Sequence, residues 1–241
     1  MMKVSSPWIP AVYIGEQRKR NDQIAAISGT INSRIALNLY YTPLAGYVHR
    51  VEIVAREAGL WNQLTLVPTN PFDSPDDLVA ANPLSKVPTL VRDDGVPMFG
   101  GPVIYEYLDS LHSGPKLYPQ DTNDRWDALR LFGLAEGMFD AADLRVVELR
   151  RPEGEKSIFW IDRYQRAVDR CLDRLEAESR SFDRFHIGLI SIAGALLWFD
   201  WQRQHRGNQV DWRPGRESLA KWLTETIDRP SYREGLAANT D

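Results

Sequence analysis

The stretch from Lys86 to Leu111 constrains the fold more than any other part of this 241-residue chain. A short apolar, β-branched run from Val87 to Val91 predicts a strand, and Asp93-Asp94-Gly95 is typical of a tight turn into a second, antiparallel strand. Apolar side chains then recur on one helical face: Val103, Ile104, Tyr107, Leu108 and Leu111. The order is therefore strand, turn, strand, helix.

Pro88 gives this stretch two interpretations. A proline that opens a strand is compatible with a sheet, because its missing N–H need not break the ladder of hydrogen bonds. A plain β-hairpin followed by a helix would need nothing more. If the Val87–Pro88 bond is cis, however, the peptide groups beside it turn outward and can pair with the backbone of a ligand.

Upstream, the pattern changes from strand to helix and back to strand. Ile35–Tyr41 predicts a strand, Thr42–Gly46 interrupts it, and Leu64–Val67 predicts a second strand. Small apolar residues between them recur at helical spacing up to a closing glycine: Val48, Val51, Ala55, Ala58 and Gly59. The predicted order is β-α-β, a short helix, and then β-β-α.

In this order the chain resembles the N-terminal, thioredoxin-like domain of the cytosolic glutathione transferases, and in particular their bacterial members. Four segments carry the resemblance at the family's separation, namely 39–43 (LYYTP), 51–60, 82–88 (NPLSKVP) and 103–108 (VIYEYL). The resemblance extends over roughly residues 34 to 235. It implies an α/β thioredoxin-like N-terminal domain followed by an all-α helical-bundle C-terminal domain.

Composition excludes several other classes of protein. The net charge of −4 comes from well-mixed acidic and basic residues, which argues against a nucleic-acid or acidic-membrane partner. One cysteine, Cys171, rules out an internal disulfide and fits a reducing compartment, so we expect a cytoplasmic protein. Because Cys171 lies on the apolar face of a predicted helix, we interpret it as a core residue and not a nucleophile. The spacing of the histidines predicts no metal site.

Helical periodicity dominates the second half of the chain. One long helix is predicted from about Ala128 to Leu149, a second from Ile158 to Leu175, and a buried central helix from Ile187 to about Trp201. A final helix carries Leu219 to Ile227. None of these helices contains the ~20 apolar residues needed to span a bilayer.

These patterns predict four parts of the chain. Residues 1–33 would be a poorly ordered extension, 34–112 the thioredoxin-like glutathione-binding domain, 113–123 a linker, and 124–235 the all-helical domain. By resemblance, we expect a homodimer that binds reduced glutathione and conjugates it to a small hydrophobic electrophile, a reaction of detoxification. The alternatives are a catalytically impaired binding or scaffold protein of the same fold, and a glutathione-dependent isomerase or lyase.

The resemblance also locates the residue that should activate the thiol. A Tyr, Ser or Cys normally follows the first strand, but the matching position here is Ala45, which has no side-chain donor. Thr42 is the first substitute, although a turn residue before proline is the alternative interpretation. Tyr41 and Tyr47 are further hydroxyls. The backbone amides of Ala45 and Gly46, at a helix N-terminus, could also stabilise a thiolate.

The other expected contacts lie around Pro88 and the third helix. Val87 would pair its backbone with the cysteinyl residue of glutathione, and Lys86 could meet the glycyl carboxylate. Gly100-Gly101 replaces the usual acidic residue and serine that hold the γ-glutamyl end, leaving N–H groups for its carboxylate or, alternatively, a sharp turn alone. Glu136 and Asp140 are candidates for an acidic contact across a dimer, although a solvated helix face explains them equally well. The candidates for an electrophile pocket, which could equally be packing or core residues, are Tyr47, Met138, Phe139, Trp198 and Trp201.

Overall fold

The computed structural model describes residues 37–42, 45–207 and 211–237. The predictions for residues 1–33 and for the start of the first strand lie outside this range. The chain divides into two compact units, the first of which ends at Gly114 while the second begins at Pro115.

A four-stranded mixed sheet organises the N-terminal unit. Its strands are β1 (Leu37–Tyr41), β2 (Leu64–Pro68), β3 (Thr89–Val91) and β4 (Pro97–Phe99), in the order β2-β1-β3-β4. β1 is parallel to β2 and antiparallel to β3, and β3 is antiparallel to β4. The predicted turn before β4 is present, with Gly95 at a φ of +80° that favours glycine.

Three helices complete this unit: α1 (Gly46–Glu57), α2 (Asp76–Ala81) and α3 (Gly101–Ser110). α1 and α3 pack against each other through buried apolar side chains, among them Val51, Val54, Ile104 and Leu108. This β-α-β-α-β-β-α arrangement confirms the predicted thioredoxin-like domain.

The C-terminal unit is helical in every described element. It contains α4 (Thr122–Leu149), α5 (Ile158–Glu178), α6 (Ile187–Arg206), α7 (Glu217–Thr226) and α8 (Pro230–Ala237). α4 packs along both α5 and α6. α6 is buried along most of its length, as predicted for the central helix. The helical-bundle class is therefore confirmed.

The sequence interpretation of α7 as the final helix was wrong. Pro230 is the first residue of α8, where its missing N–H leaves no hydrogen bond unmade because the first helical turn has no intrahelical acceptor. Sequence analysis predicted no helix after Ile227, although a proline can begin a helix as well as end one.

His186 caps the N-terminus of α6 and makes the stability of this unit depend on pH. Its Nδ1 accepts a hydrogen bond of 3.1 Å from the Gly188 N–H, so the imidazole must be neutral at that nitrogen. Burial lowers the pKa of His186 below its ordinary value, although the carboxylates of Asp183, Asp124 and Asp127 oppose that shift. The folded state therefore binds a proton less readily than the unfolded chain.

We accordingly expect the contribution of His186 to stability to be complete above about pH 6.5, the ordinary histidine value, and to be lost as the pH falls below it. His186→Asn keeps a capping acceptor without a titrating group. Urea unfolding of both proteins at a series of pH values measures the effect. The wild type should lose stability relative to His186→Asn towards acid, whereas parallel pH profiles would contradict the prediction.

Candidate functional site

The carboxyl end of β1 and the start of β3 lie at the same end of the sheet. Tyr40 pairs with Thr89 in the antiparallel register. Continuing that register by two residues brings Thr42 and Val87 to this end, just beyond the last paired residues. Two of the segments that sequence analysis selected are therefore brought together by the fold.

Asn82 fixes the loop that leads to Val87. This side chain is only 1% exposed, and its Nδ2 donates to the Lys86 carbonyl oxygen at 3.2 Å and to Thr89 Oγ1 at 2.9 Å. Thr89 Oγ1 itself donates to the same Lys86 carbonyl at 2.8 Å. At the other end of the loop, Asn82 Oδ1 accepts from the Leu84 N–H. The peptide between Lys86 and Val87 is thus held from one side by two buried polar groups.

The Val87–Pro88 bond is cis, the conformation in which sequence analysis expected outward-facing peptide groups. Val87 is half-buried, Pro88 is buried, and the Lys86 side chain is exposed. Both backbone polar groups of Val87 lie outside the β1–β3 ladder, which begins at Thr89. The structure therefore leaves these groups beyond the sheet, and their pairing with a ligand stays a prediction.

The break after β1 holds the predicted thiol-activating groups. Thr42 is buried, and its hydroxyl has no hydrogen-bond partner within 37–42, 45–207 and 211–237. The Ala45 N–H donates to the Thr42 carbonyl oxygen at 3.1 Å and is therefore already engaged in the turn. Ala45 is the N-cap of α1 and makes no side-chain capping hydrogen bond. Sequence analysis selected the amides of Ala45 and Gly46. The Ala45 amide already donates a hydrogen bond within the protein.

Gly46 supplies the other amide. It is the first residue of α1, and its N–H has no acceptor in the part of the chain that the structure describes. Two residues further on, the Val48 N–H donates to the Ala45 carbonyl oxygen at 2.9 Å. No acidic side chain lies in the first turn of α1, so the positive end of the helix dipole is not neutralised locally.

Gly100 and Gly101 both have structural reasons to be glycine. Gly100 is the N-cap of α3 with a φ of +88°, a backbone conformation that favours glycine. Gly101 is buried, and a Cβ atom there would lie 2.5 Å from the Tyr105 hydroxyl oxygen. The interpretation of these glycines as a sharp turn is therefore supported for Gly100. A role of either residue in binding a carboxylate stays a prediction.

The residues proposed for an electrophile pocket belong to different units. Tyr47 is half-buried in the first turn of α1. Met138 and Phe139 are buried side chains of α4, and the Phe139 ring lies 4.8 Å from the ring of Trp198 on α6. Met138, Phe139 and Trp198 are core residues of the helical unit. That any of them lines an electrophile pocket stays a prediction. Trp201 stacks on His205, with ring centroids 5.1 Å apart.

Other kinds of chemistry find little support. Cys171 is half-buried, and burial raises the pKa of its thiol, which disfavours the reactive thiolate. Among the described residues, no three or more His, Cys, Asp or Glu side chains are grouped so that they could hold a metal ion. Over the same ranges, each helix is too short or too polar to cross a membrane.

The fold and this site define a thioredoxin-like domain with a cis-proline loop, joined in sequence to a helical bundle. The family model "Glutathione S-transferase, N-terminal domain" matches residues 46–111. A glutathione transferase family member from Pseudomonas fluorescens Pf-5, solved with bound glutathione, is 33% identical with a TM-score of 0.74, over 83% of this chain and 98% of that chain. A glutathione S-transferase from Methylobacillus flagellatus, solved with glutathione bound, is 28% identical with a TM-score of 0.76 over the same shares.

A curated relative matches most of the length of the chain. The stringent starvation protein A homolog of Coxiella burnetii is 40% identical over 207 residues, which are 85% of this chain and 93% of the relative. The chain belongs to the glutathione transferase family, as the sequence resemblance indicated.

Proposed function

We propose that this protein binds reduced glutathione at the end of the sheet formed by Thr42, Gly46 and Val87, and transfers it to a small electrophile. The observation that carries the proposal is the Lys86–Val87 peptide, which Asn82 and Thr89 hold in place while Val87 stays outside the ladder. A backbone pair fixed in this way can bind the cysteinyl residue of the tripeptide. Relatives solved with glutathione bound support the choice of ligand.

The chemical step needs a thiolate. A free thiol has a pKa of about 8.5, and lowering it by two units requires roughly 2.7 kcal/mol of preferential stabilisation of the anion. The Gly46 N–H and the end of the α1 dipole supply part of this, and the Thr42 hydroxyl could donate if it turned towards the ligand. The sulfur lone pair then forms a bond to the electrophilic carbon, the leaving group departs with its bonding electrons, and the thiol proton passes to solvent.

A second candidate is a protein of this family that binds glutathione or another partner without conjugation. Two observations favour it: Ala45 offers no side-chain donor, and the Thr42 hydroxyl is buried. The relative that is 40% identical is named for stringent starvation and not for a transferase activity. The two candidates share the ligand site and differ in whether the bound thiol is activated.

Family membership also supports a homodimer in the cytoplasm, where reduced glutathione is available. In such a dimer, Glu136 or Asp140 of α4 would offer a carboxylate to the ligand's ammonium group, which Gly100 and Gly101 cannot provide. Glu136 is half-buried and Asp140 is exposed on the same face one turn away.

Light scattering in the buffer used for ligand binding should give twice the mass of one chain.

Calorimetric titration with reduced glutathione and its S-methyl derivative at about pH 7 tests the proposal. We expect micromolar to low-millimolar binding of both ligands. Lys86→Met should weaken binding by up to about fivefold, because an exposed ammonium–carboxylate pair contributes at most about 1 kcal/mol. Lys221→Met removes a comparable charge from the exposed face of α7 and should leave the affinity unchanged. If neither ligand binds, the proposed function is wrong.

A further inference from the structure

Gly101, the first residue of α3, and Tyr105, one helical turn later, form a tightly packed pair. A Cβ atom on Gly101 would lie 2.5 Å from Tyr105 Oη, 2.8 Å from Cζ and 3.2 Å from Cε2. The phenol ring therefore runs back along the helix and covers the Cα of Gly101, as long side chains on helices tend to do. A side chain at position 101 and the Tyr105 phenol cannot both occupy this space.

The position of Tyr105 gives its hydroxyl a specific partner. Tyr105 is fully buried, and its Oη donates a hydrogen bond of 3.1 Å to the carbonyl oxygen of Tyr47. Tyr47 follows Gly46 directly in the first turn of α1. The hydroxyl thus joins the start of α3 to the first turn of α1, through two residues that are 58 apart in sequence. Both lie at the end of the sheet where the glutathione thiol would bind.

Packing alone does not require this hydroxyl. Phenylalanine would fill almost the same volume, and a buried phenol is stable only when its O–H has an acceptor. The Tyr47 carbonyl is fixed to the Gly46–Tyr47 segment, so the hydrogen bond restrains the turn that presents the Gly46 N–H. A donor that stabilises an anion works only when it is held at hydrogen-bond distance from the developing charge.

We propose that Tyr105 is a positioning residue for the Gly46 amide, with Gly101 kept as glycine to make room for its phenol. This inference rests on the proposed function. Tyr105 does not touch the sulfur. Tyr105 sets the orientation of the Gly46 amide, which contacts the sulfur. It therefore determines how far the protein lowers the pKa of the thiol of bound glutathione.

Tyr105→Phe tests this role, with Tyr107→Phe as the matched control. Tyr107 is half-buried on the same helix, and its ring faces the guanidinium of Arg92 with 5.7 Å between Cζ and the ring centroid. The pKa of bound glutathione is read from the ultraviolet thiolate absorbance as a function of pH, at saturating ligand. We expect Tyr105→Phe to raise that pKa by about half to one pH unit, so that the thiolate fraction at a pH well below the pKa falls about three- to tenfold. Tyr107→Phe should leave the pKa unchanged.

The outcomes separate this inference from the proposed function. A wild-type protein that lowers the thiol pKa, together with an unchanged pKa in Tyr105→Phe, would overturn the positioning role alone. Failure of the wild type to bind glutathione would overturn both. Thermal unfolding tests the packing of Gly101 against Tyr105 without any ligand. Gly101→Ala should lower the melting temperature of the wild type but not that of Tyr105→Ala. Equal effects in the two proteins would contradict this packing.

Discussion

Ala45→Ser should raise the rate of glutathione conjugation by about ten- to a hundredfold, the range expected for one added hydrogen bond to an anion. Ala45 is the N-cap of α1, with a φ of −90° and a ψ of 116° that serine adopts readily. A serine hydroxyl can accept a hydrogen bond from an amide of the first turn and donate a hydrogen bond to the thiolate at the same time. The rate, kcat/KM with an activated chloroaromatic electrophile, and the pKa of the bound thiol measure the effect.

A second variant separates the donor from the cap. Ala45→Gly also improves the N-cap but adds no hydroxyl, so it should leave kcat/KM close to the wild-type value. If Ala45→Ser has no more effect than Ala45→Gly, the native protein already has its donor. Loss of activity in Thr42→Ala would then identify that donor as the Thr42 hydroxyl.

Elements of the N-terminal unit were predictable because each has its own local signal. β3, the Gly95 turn and β4 follow from β-branched residues on either side of a turn tripeptide, and α1 from a stripe of small apolar residues that ends at Gly59. Pattern reasoning failed at α8, because Pro230 can end one helix or begin another and the local sequence does not distinguish the two.

The candidate site was predictable only where a backbone motif marks it. Val87 and Pro88 belong to such a motif, so sequence analysis selected them. Asn82 lies in the same segment but was assigned no role, because its partners Lys86 and Thr89 meet it only through the fold of the loop. The dipeptide Asn82-Pro83, which is typical of a turn, is the signal that the sequence offered.

Tyr105 was missed for a different reason. Helical periodicity indicates which face a residue lies on, but it does not identify a hydrogen-bond partner 58 residues away. The glycine four residues earlier is the one local signal, since a bare Cα in the first turn of a helix leaves space for a large side chain at the fourth position after it.

Gly188→Ala should destabilise the helical unit by about 1–3 kcal/mol, the usual effect of overpacking a core. Gly188 lies in the first turn of α6, where a Cβ atom would be 2.5 Å from the Ala128 carbonyl oxygen and 2.9 Å from Leu131 Cβ, both on α4. Alanine favours a helix over glycine by roughly 1 kcal/mol, but a contact this short with the backbone of another helix forces α4 and α6 apart. The steric term should therefore outweigh the gain in helix propensity.

Gly133→Ala is the matched control, because Gly133 is exposed on α4 and a Cβ there meets no atom within 4 Å. It should stabilise the protein by about 0.5–1 kcal/mol through propensity alone. Thermal and urea unfolding of the two variants should thus shift in opposite directions from the wild type. If Gly188→Ala stabilises the protein as Gly133→Ala does, α4 and α6 can move apart without loss of stability. The close approach of their backbones at Gly188 argues against that outcome.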